Sequence, residues 1–395
     1  MKRLTEFYDL MAESATLRRD LVDFHLINVG KKGRTAALQK ILEQLKKTPA
    51  DEEGRLRLED EQGQELLVQP DYEMAELEKD IYFFEEGEGA FASYLAQLHP
   101  RFGEEVTELL DFLGAATFDG FFTDRDGTVN NYCGRYRSSI QSAYNAVFLS
   151  RFGRTVRQKP VILTSAPLQD TGIIEMTVIP EDIYLLAGSK GREYRDIHGE
   201  RHSYPMSAED TRLMNELNEE LETLLEKPEN RVFTQIGSSF QRKLGEITVA
   251  RQDMHGSVPP EKSEAFKKEV QSLLDRVNQG GDRFRLEDTG KDLEIILAPA
   301  DREPHFDKGD GIAFILEEIG RDVAGDELLI CGDTSSDLPM VERAAELGAK
   351  VTAVFVTSDE KLRRSVKGAA ERSFFVSNPD VLVAGLNLAS GETKV

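Results

Sequence analysis

The sequence predicts an α/β protein in which a parallel-sheet core carries an inserted α+β unit and is preceded by a mostly helical N-terminal region. Three observations carry this expectation. From Phe118 onward, short apolar runs alternate with helical stretches, the mark of parallel strands joined by crossover helices. Residues 206–300 interrupt that alternation with the order helix, strand, strand, repeated once. Residues 1–115 show apolar residues recurring at steps of three and four, the period of amphipathic helices.

In the N-terminal region, Leu4, Tyr8, Met11, Leu17, Leu21 and Phe24 set the helical period. Residues Arg55 to Val68 alternate in polarity on either side of a polar Gln-Gly turn and read as a β-hairpin. A further helical stretch runs from about Glu73 to Leu113, broken near Pro100. No chemical motif falls in residues 1–115, which leaves them oligomerisation, partner binding or service as a platform under the inserted unit. The core strands are the runs Phe118–Thr123, Val161–Thr164, Glu327–Cys331, Val351–Phe355 and Ser373–Val376, so the core comprises residues 116–205 and 301–395. The inserted unit opens at Ser207 and Asp210, a capping-box-like start, with Leu213, Leu217, Leu221 and Leu224 on one helical face. Strands are expected over Arg231–Ile236 and Arg242–Arg251, then a helix over Pro260–Asn278, then strands over Arg283–Glu287 and Leu293–Ala298.

Composition narrows the function. With 395 residues, 39% of them hydrophobic, the chain has material for one large or two to three smaller domains. A net charge of −23 sets up a field that repels polyanions, so nucleic acid is not an expected partner. The longest apolar runs are far below the roughly 18 residues of a membrane span, and the first residues lead into an amphipathic pattern, so no membrane association and a cytoplasmic location are expected. Cys133 and Cys331 have neither CxxC spacing nor His neighbours, which argues against a disulfide framework or a zinc site and for reduced thiols.

The chemistry-bearing residues lie where apolar strands end. Phe121-Phe-Thr-Asp124-Arg125-Asp126-Gly127-Thr128 runs from a strand into two carboxylates and a Gly-Thr turn. At the carboxyl end of a parallel strand such side chains project into the ligand crevice. Asp124 can then attack phosphorus while Asp126 protonates the leaving oxygen and later activates water. Taken alone, Asp-Gly reads equally well as turn chemistry. A second strand, Leu328 to Cys331, enters Gly332-Asp333-Thr-Ser-Ser-Asp337. Asp333 would complete a hard-oxygen magnesium site with Asp124 and the carbonyl of Asp126, and Asp337 would hold a metal-bound water or a basic neighbour. Between the two acidic strands, Val161-Ile-Leu-Thr164-Ser165 offers a hydroxyl to a phosphoryl oxygen, and Asp307-Lys308-Gly309 offers an ammonium ahead of a helix.

In this order the four motifs resemble those of the haloacid dehalogenase superfamily, over roughly residues 116–390. The resemblance implies a Rossmann-like core with a cap, Asp124 as nucleophile, Asp126 as general acid/base, and Ser165 (or Thr164) and Lys308 as phosphate clamps. It also implies Mg2+ held by Asp124, the Asp126 carbonyl and Asp333, with Asp337 at the metal site. The helix-strand-strand repeat is similar to the cap of trehalose-phosphate and sucrose-phosphate phosphatases. So is Ser239-Phe-Gln-Arg-Lys243-Leu-Gly-Glu246-Ile-Thr-Val-Ala-Arg251, which makes Lys243, Glu246 and Arg251 candidates for substrate binding. One departure stands out. Arg125 replaces the apolar residue usual between the two aspartates, a feature that resembles heptose-bisphosphate and histidinol-phosphate phosphatases, which lack so large a cap.

The resulting expectation is a magnesium-dependent phosphomonoester hydrolase that works through an aspartyl-phosphate on a sugar or glycosyl phosphate similar to trehalose-6-phosphate. A sugar phosphomutase of the same superfamily and a non-catalytic scaffold are the alternatives. The partner expected is a small phosphorylated substrate. Arg135 and Arg137, just after the first motif, are either near that anion or on the surface.

Overall fold

The computed structural model describes residues 1–27, 34–63, 65–114, 117–278, 283–298 and 306–391. The chain begins with helices α1 (Leu4–Ile27) and α2 (Ala36–Lys47), then the hairpin β1 (Leu56–Glu59) and β2 (Glu65–Val68), whose register pairs Leu56 with Val68. Helices α3 (Asp71–Glu86), α4 (Glu88–Leu98) and α5 (Phe102–Leu113) follow. The expected break near Pro100 is present, and a second break falls at Gly87, whose φ of 84° is a conformation that favours glycine.

The core then runs through β3 (Gly120–Thr123), α6 (Ala143–Thr155), β4 (Val161–Leu163), the short α7 (Ile173–Met176), β5 (Leu185–Gly188), β6 (Glu193–Arg195) and β7 (Arg201–Ser203). The cap comprises α8 (Ala208–Leu225), β8 (Phe240–Lys243), β9 (Glu246–Ala250), α9 (Pro260–Val277), β10 (Phe284–Asp288) and β11 (Asp292–Leu297). The chain returns to the core as α10 (Lys308–Glu318), β12 (Glu327–Gly332), α11 (Leu338–Glu346), β13 (Lys350–Val356), α12 (Glu360–Ala369), β14 (Arg372–Val376) and α13 (Pro379–Ala389). The junction expected at 300/301, like that at 115/116, lies outside the described residues.

Eight strands form the main sheet in the order β14-β13-β12-β3-β4-β5-β6-β7, parallel as far as β5 and antiparallel through β6 and β7. The chain moves outward from β3 to β5 and then returns to the other side of β3. The point between β3 and β12 is therefore the topological switch, where a crevice opens at the carboxyl ends of the strands. Cys331 pairs with Thr123, which brings the residues that follow each strand side by side.

Each face of the sheet is covered differently. On one face Phe122, Leu163, Ile330 and Phe355 pack under α10, α11 and α12. On the other, Phe121, Ile162, Val354 and Leu382 share a single apolar core with Phe7, Val22, Leu45, Phe83 and Leu109 of the N-terminal helices. The cap has its own core, built from α8, α9 and one face of the sheet β10-β11-β9-β8, with Phe233 stacked on Phe266 at 3.9 Å between ring centres.

Two expectations within the cap are corrected. Arg231–Ile236 is no strand, for Arg231–Thr234 forms a 3-10 turn. Its buried residues Asn230, Phe233 and Ile236 recur at steps of three, the period of that helix and not of a pleated strand. The single strand expected over Arg242–Arg251 is instead the hairpin β8–β9, turning at Leu244 and Gly245. Among the described residues, no helix is long and apolar enough to cross a membrane, and both cysteines are buried and unpaired.

Candidate active site

Asp124 is the first residue past β3, and its backbone N–H donates to the Cys331 carbonyl at 3.0 Å, tying it to the neighbouring strand β12. Its side chain is buried and meets the Lys308 ammonium at 2.5 Å. Lys308 is the first residue of α10 and donates its other bond to Asp337 at 2.6 Å. The Thr128 hydroxyl lies between two carboxylates, 3.1 Å from Asp124 and 3.2 Å from Asp333, and so closes a ring with Asp124, Lys308, Asp337 and Asp333 around the crevice. Gly127 makes this closure possible. A Cβ there would lie 2.2 Å from a carboxylate oxygen of Asp333, and its φ of +89° is unfavourable for any other residue.

Crowding carboxylates in this way disfavours their charge. Asp333 is pushed well above the ordinary carboxylate range by burial and by the charges of Asp124 and Asp337. Burial raises Asp124 as well, against the pull of Lys308. Asp337 is buried too, but Lys308 and the N–H groups of Asp333 and Thr334 hold it low. Oxygen atoms of Asp124, Asp333 and Asp337 lie within 4.8 Å of one another. Hard oxygen donors that resist carrying their charges together are the surroundings a small divalent cation satisfies. Asp337 stands apart within the trio. Its oxygens accept from Lys308 and from two backbone N–H groups, so it anchors Lys308, the basic neighbour expected of it, and its own loop while staying within the cluster of three carboxylates.

Asp126 lies two residues beyond Asp124 and keeps 19% of its side chain exposed toward the cleft. One oxygen accepts from Ser139 at 2.9 Å and from the guanidinium of Arg125. Thr164 and Ser165 both line the cleft. The Thr164 oxygen accepts the Ala166 N–H at 3.2 Å, which leaves Ser165 as the less committed hydroxyl. The cleft has a volume of about 250 Å³, with Asp124, Asp126, Lys308 and Asp333 at its floor and Gln241, Lys243, Thr248, Asp292 and Glu294 of the cap sheet as its roof.

A family model described as "Trehalose-6-phosphate phosphatase, C-terminal" matches residues 121–382, and one described as its "N-terminal helical bundle domain" matches residues 3–102. The chain belongs to the trehalose-6-phosphate phosphatase family. It is 32% identical to a trehalose-phosphatase of Caenorhabditis elegans, over 71% of this chain and 67% of that protein. It is also 32% identical to an alpha,alpha-trehalose-phosphate synthase of Aphelenchoides avenae, over 99% of this chain but 32% of that protein. The chain thus spans about a third of the length of the synthases it matches. A trehalose-6-phosphate phosphatase structure from Aspergillus fumigatus aligns with a TM-score of 0.43 at 17% identity, covering 73% of this chain and 98% of that one. Among the described residues, Asp124, Asp333 and Asp337 at the carboxyl end of the sheet form a group of carboxylates that could hold a metal ion.

Within this family member, the structure gathers Asp124, Asp126, Thr164, Ser165, Lys308 and Asp333 around one cleft, with Lys243 above them. Glu246 sits just behind, gripped by Lys243 at 2.8 Å and by Lys190 at 2.7 Å. Burial works to raise its carboxyl, but the two ammonium groups outweigh burial and bring it down to about 2. Arg251 is not part of the cleft. It bonds Ser263 at 2.9 Å, Asp288 and Glu264, and so ties α9 to the cap sheet in place of the substrate contact expected of it.

The arginines after the first motif are also reassigned. Arg135 is buried, donating to the Tyr8 hydroxyl at 3.1 Å and to the Gln235 carbonyl, so it bridges α1 and the cap. Arg137 lies over the Tyr8 ring at 4.2 Å. Neither lines the cleft. Sequence reasoning missed Tyr136, Thr248 and Asp292, which do line it. For Thr248 and Asp292 a signal existed, since each alternates with the apolar residues of its strand.

Proposed function

We propose that this chain is a Mg2+-dependent phosphomonoester hydrolase that works through an aspartyl-phosphate on Asp124, with a trehalose-6-phosphate-like glycosyl phosphate as substrate. The observation that carries the reading is the Lys308 ammonium held between Asp124 and Asp337 at the switch point, with Asp126 two residues on and Asp333 alongside. Lysine there offsets the repulsion between carboxylate and phosphate that otherwise blocks attack. Ser165 donates to a phosphoryl oxygen. Asp124 forms a bond to phosphorus as the bond to the sugar oxygen breaks, and Asp126 gives that oxygen its proton. Asp126 then takes a proton from water, whose oxygen attacks phosphorus, and the Asp124–phosphorus bond breaks to release inorganic phosphate. Asp124, Asp333 and the Asp126 carbonyl would hold the cation, which supplies charge neutralisation at the phosphoryl oxygens.

In this reading residues 206–300 act as a lid that shields the reacting phosphorus from bulk water. Ser189 and Lys190, at φ of 51° and 61°, form the turn between β5 and β6 and meet the lid from the core side, through Leu244 N–H at 3.1 Å and Glu246 at 2.7 Å. The similarity to a trehalose-phosphatase over most of the chain supports the glycosyl phosphate, as does the polar roof of the cleft. The test is phosphate release from trehalose-6-phosphate with and without Mg2+, beside Asp124→Asn. Release by the wild type and its loss in the variant are expected. A variant that keeps wild-type rates would overturn the mechanism.

A further inference from the structure

The cap sheet follows the period of two that every strand imposes. Ile247 and Val249 of β9, with Leu293 and Ile295 of β11, enter the cap core. Their neighbours Thr248, Asp292 and Glu294 therefore lie on the opposite face, together with Gln241 and Lys243 of β8. Register aligns Gln241, Thr248 and Glu294 directly across three strands. In a free-standing sheet that face would be wetted. Here it roofs the cleft, and Thr248 is only 3% exposed.

Buried polar atoms in folded proteins nearly always have partners. Among the described residues, three cleft-lining side chains carry an atom that has none: the Thr248 hydroxyl, one oxygen of Asp292, and the Tyr136 hydroxyl on the core side. The second oxygen of Asp292 accepts from Ser238 at 3.2 Å, which fixes the carboxylate and leaves the first free. Two hydroxyls and a carboxylate oxygen supply both donors and acceptors, which matches a ligand whose surface is made of hydroxyl groups. Valine would fill the Thr248 position without leaving a hydroxyl unpaired.

We infer that Tyr136, Thr248 and Asp292 are the residues that select a polyhydroxyl glycosyl group above the phosphate site. This rests on the phosphatase reading for the location of the phosphate but not for its test. A site built to bond hydroxyls loses affinity when its own hydroxyl is removed, while binding of the phosphate below is untouched.

The experiment is calorimetric titration of unphosphorylated trehalose, and separately of inorganic phosphate, into the full chain and into Thr248→Val, Thr248→Ser, Asp292→Asn and Tyr136→Phe. Thr248→Val, Asp292→Asn and Tyr136→Phe are expected to weaken trehalose about tenfold and to leave phosphate within about twofold, whereas Thr248→Ser restores trehalose binding. Failure of the wild type to bind trehalose would overturn the inference. So would unchanged trehalose affinity in these three variants, or equal weakening of both ligands. Failure of the phosphatase reading would show separately, as absence of phosphate release from trehalose-6-phosphate by a chain that still binds trehalose.

Discussion

Arg125 is 2% exposed, a costly place for a guanidinium unless every donor is matched. Its partners are Asp126, the Ser139 hydroxyl at 3.1 Å, and the carbonyls of Ser139 and Met176. In this setting it acts as a brace for the loop that carries Asp126. Arg125→Met is expected to remove about 3 kcal/mol of stability, read by urea denaturation, because it strands a carboxylate and two carbonyls. Arg125→Lys is expected to recover only part of this, since one ammonium cannot span the same three directions. The departure at position 125 was visible in the sequence. Its meaning was not, because its partners are main-chain carbonyls that no sequence pattern marks. The acidic cluster yields a second prediction at this scale. Asp124 and Asp333 are raised by burial, so the folded chain holds protons that the unfolded chain has already released. Their contribution to stability is complete below the ordinary carboxylate range and is lost as pH rises through the raised folded values. Without a divalent cation, the melting temperature should fall between about pH 6 and pH 9, and added Mg2+ should raise it most at the alkaline end. A Mg2+ effect that is flat with pH would count against the cluster as the binding site.

Helix α3 was legible as a helix, but the burial of its charges was not. The buried side of this helix carries Glu73, Glu76, Lys79 and Asp80 together with Leu77, Phe83 and Phe84. Charges at such spacing read as a solvated face, yet each of these is buried. Lys79 pairs with Glu76 at 2.5 Å and with Asp380 at 3.1 Å, Asp80 pairs with Arg18 at 2.6 Å, and Asn131 donates to Glu76 and Asp380. Asp380 is 301 residues from Lys79, so no local pattern could announce the pairing. The five expected core strands, by contrast, were legible to within a residue or two at their ends, because a strand covered on both faces is apolar throughout, whereas β5, β6 and β7 of the same sheet were not among them. The same helix reaches the loop that carries Asp126. Tyr72 donates to the Ile140 carbonyl at 2.8 Å and accepts from Asn130, Asn130 bonds Ser139, and Ser139 donates to Asp126. Tyr72→Phe is expected to lower kcat about fivefold with KM unchanged, since about 1 kcal/mol of loop positioning is lost while the cleft is intact. Steady-state kinetics on trehalose-6-phosphate would show it, and a rise in KM alone would argue against this route.

At the scale of the molecule, the helices of residues 1–113 share one apolar core with the main sheet. Deleting those residues is expected to expose Phe121-side packing such as Val147, Val354 and Leu382, giving an aggregating chain that binds a hydrophobic dye. Recovery of a soluble, fully active 117–391 fragment would refute this. The sequence left three roles open for the N-terminal region, and the packing favours an integral wall over a detachable module. The buried charges between Lys79, Glu76, Asn131 and Asp380 have a consequence for anyone recombining relatives. A chimaera that takes its first hundred residues from one family member and the remainder from another inherits one half of a lock without its key. The ammonium, the two carboxylates and the amide have to be exchanged as a set, although they are scattered over most of the length of the chain.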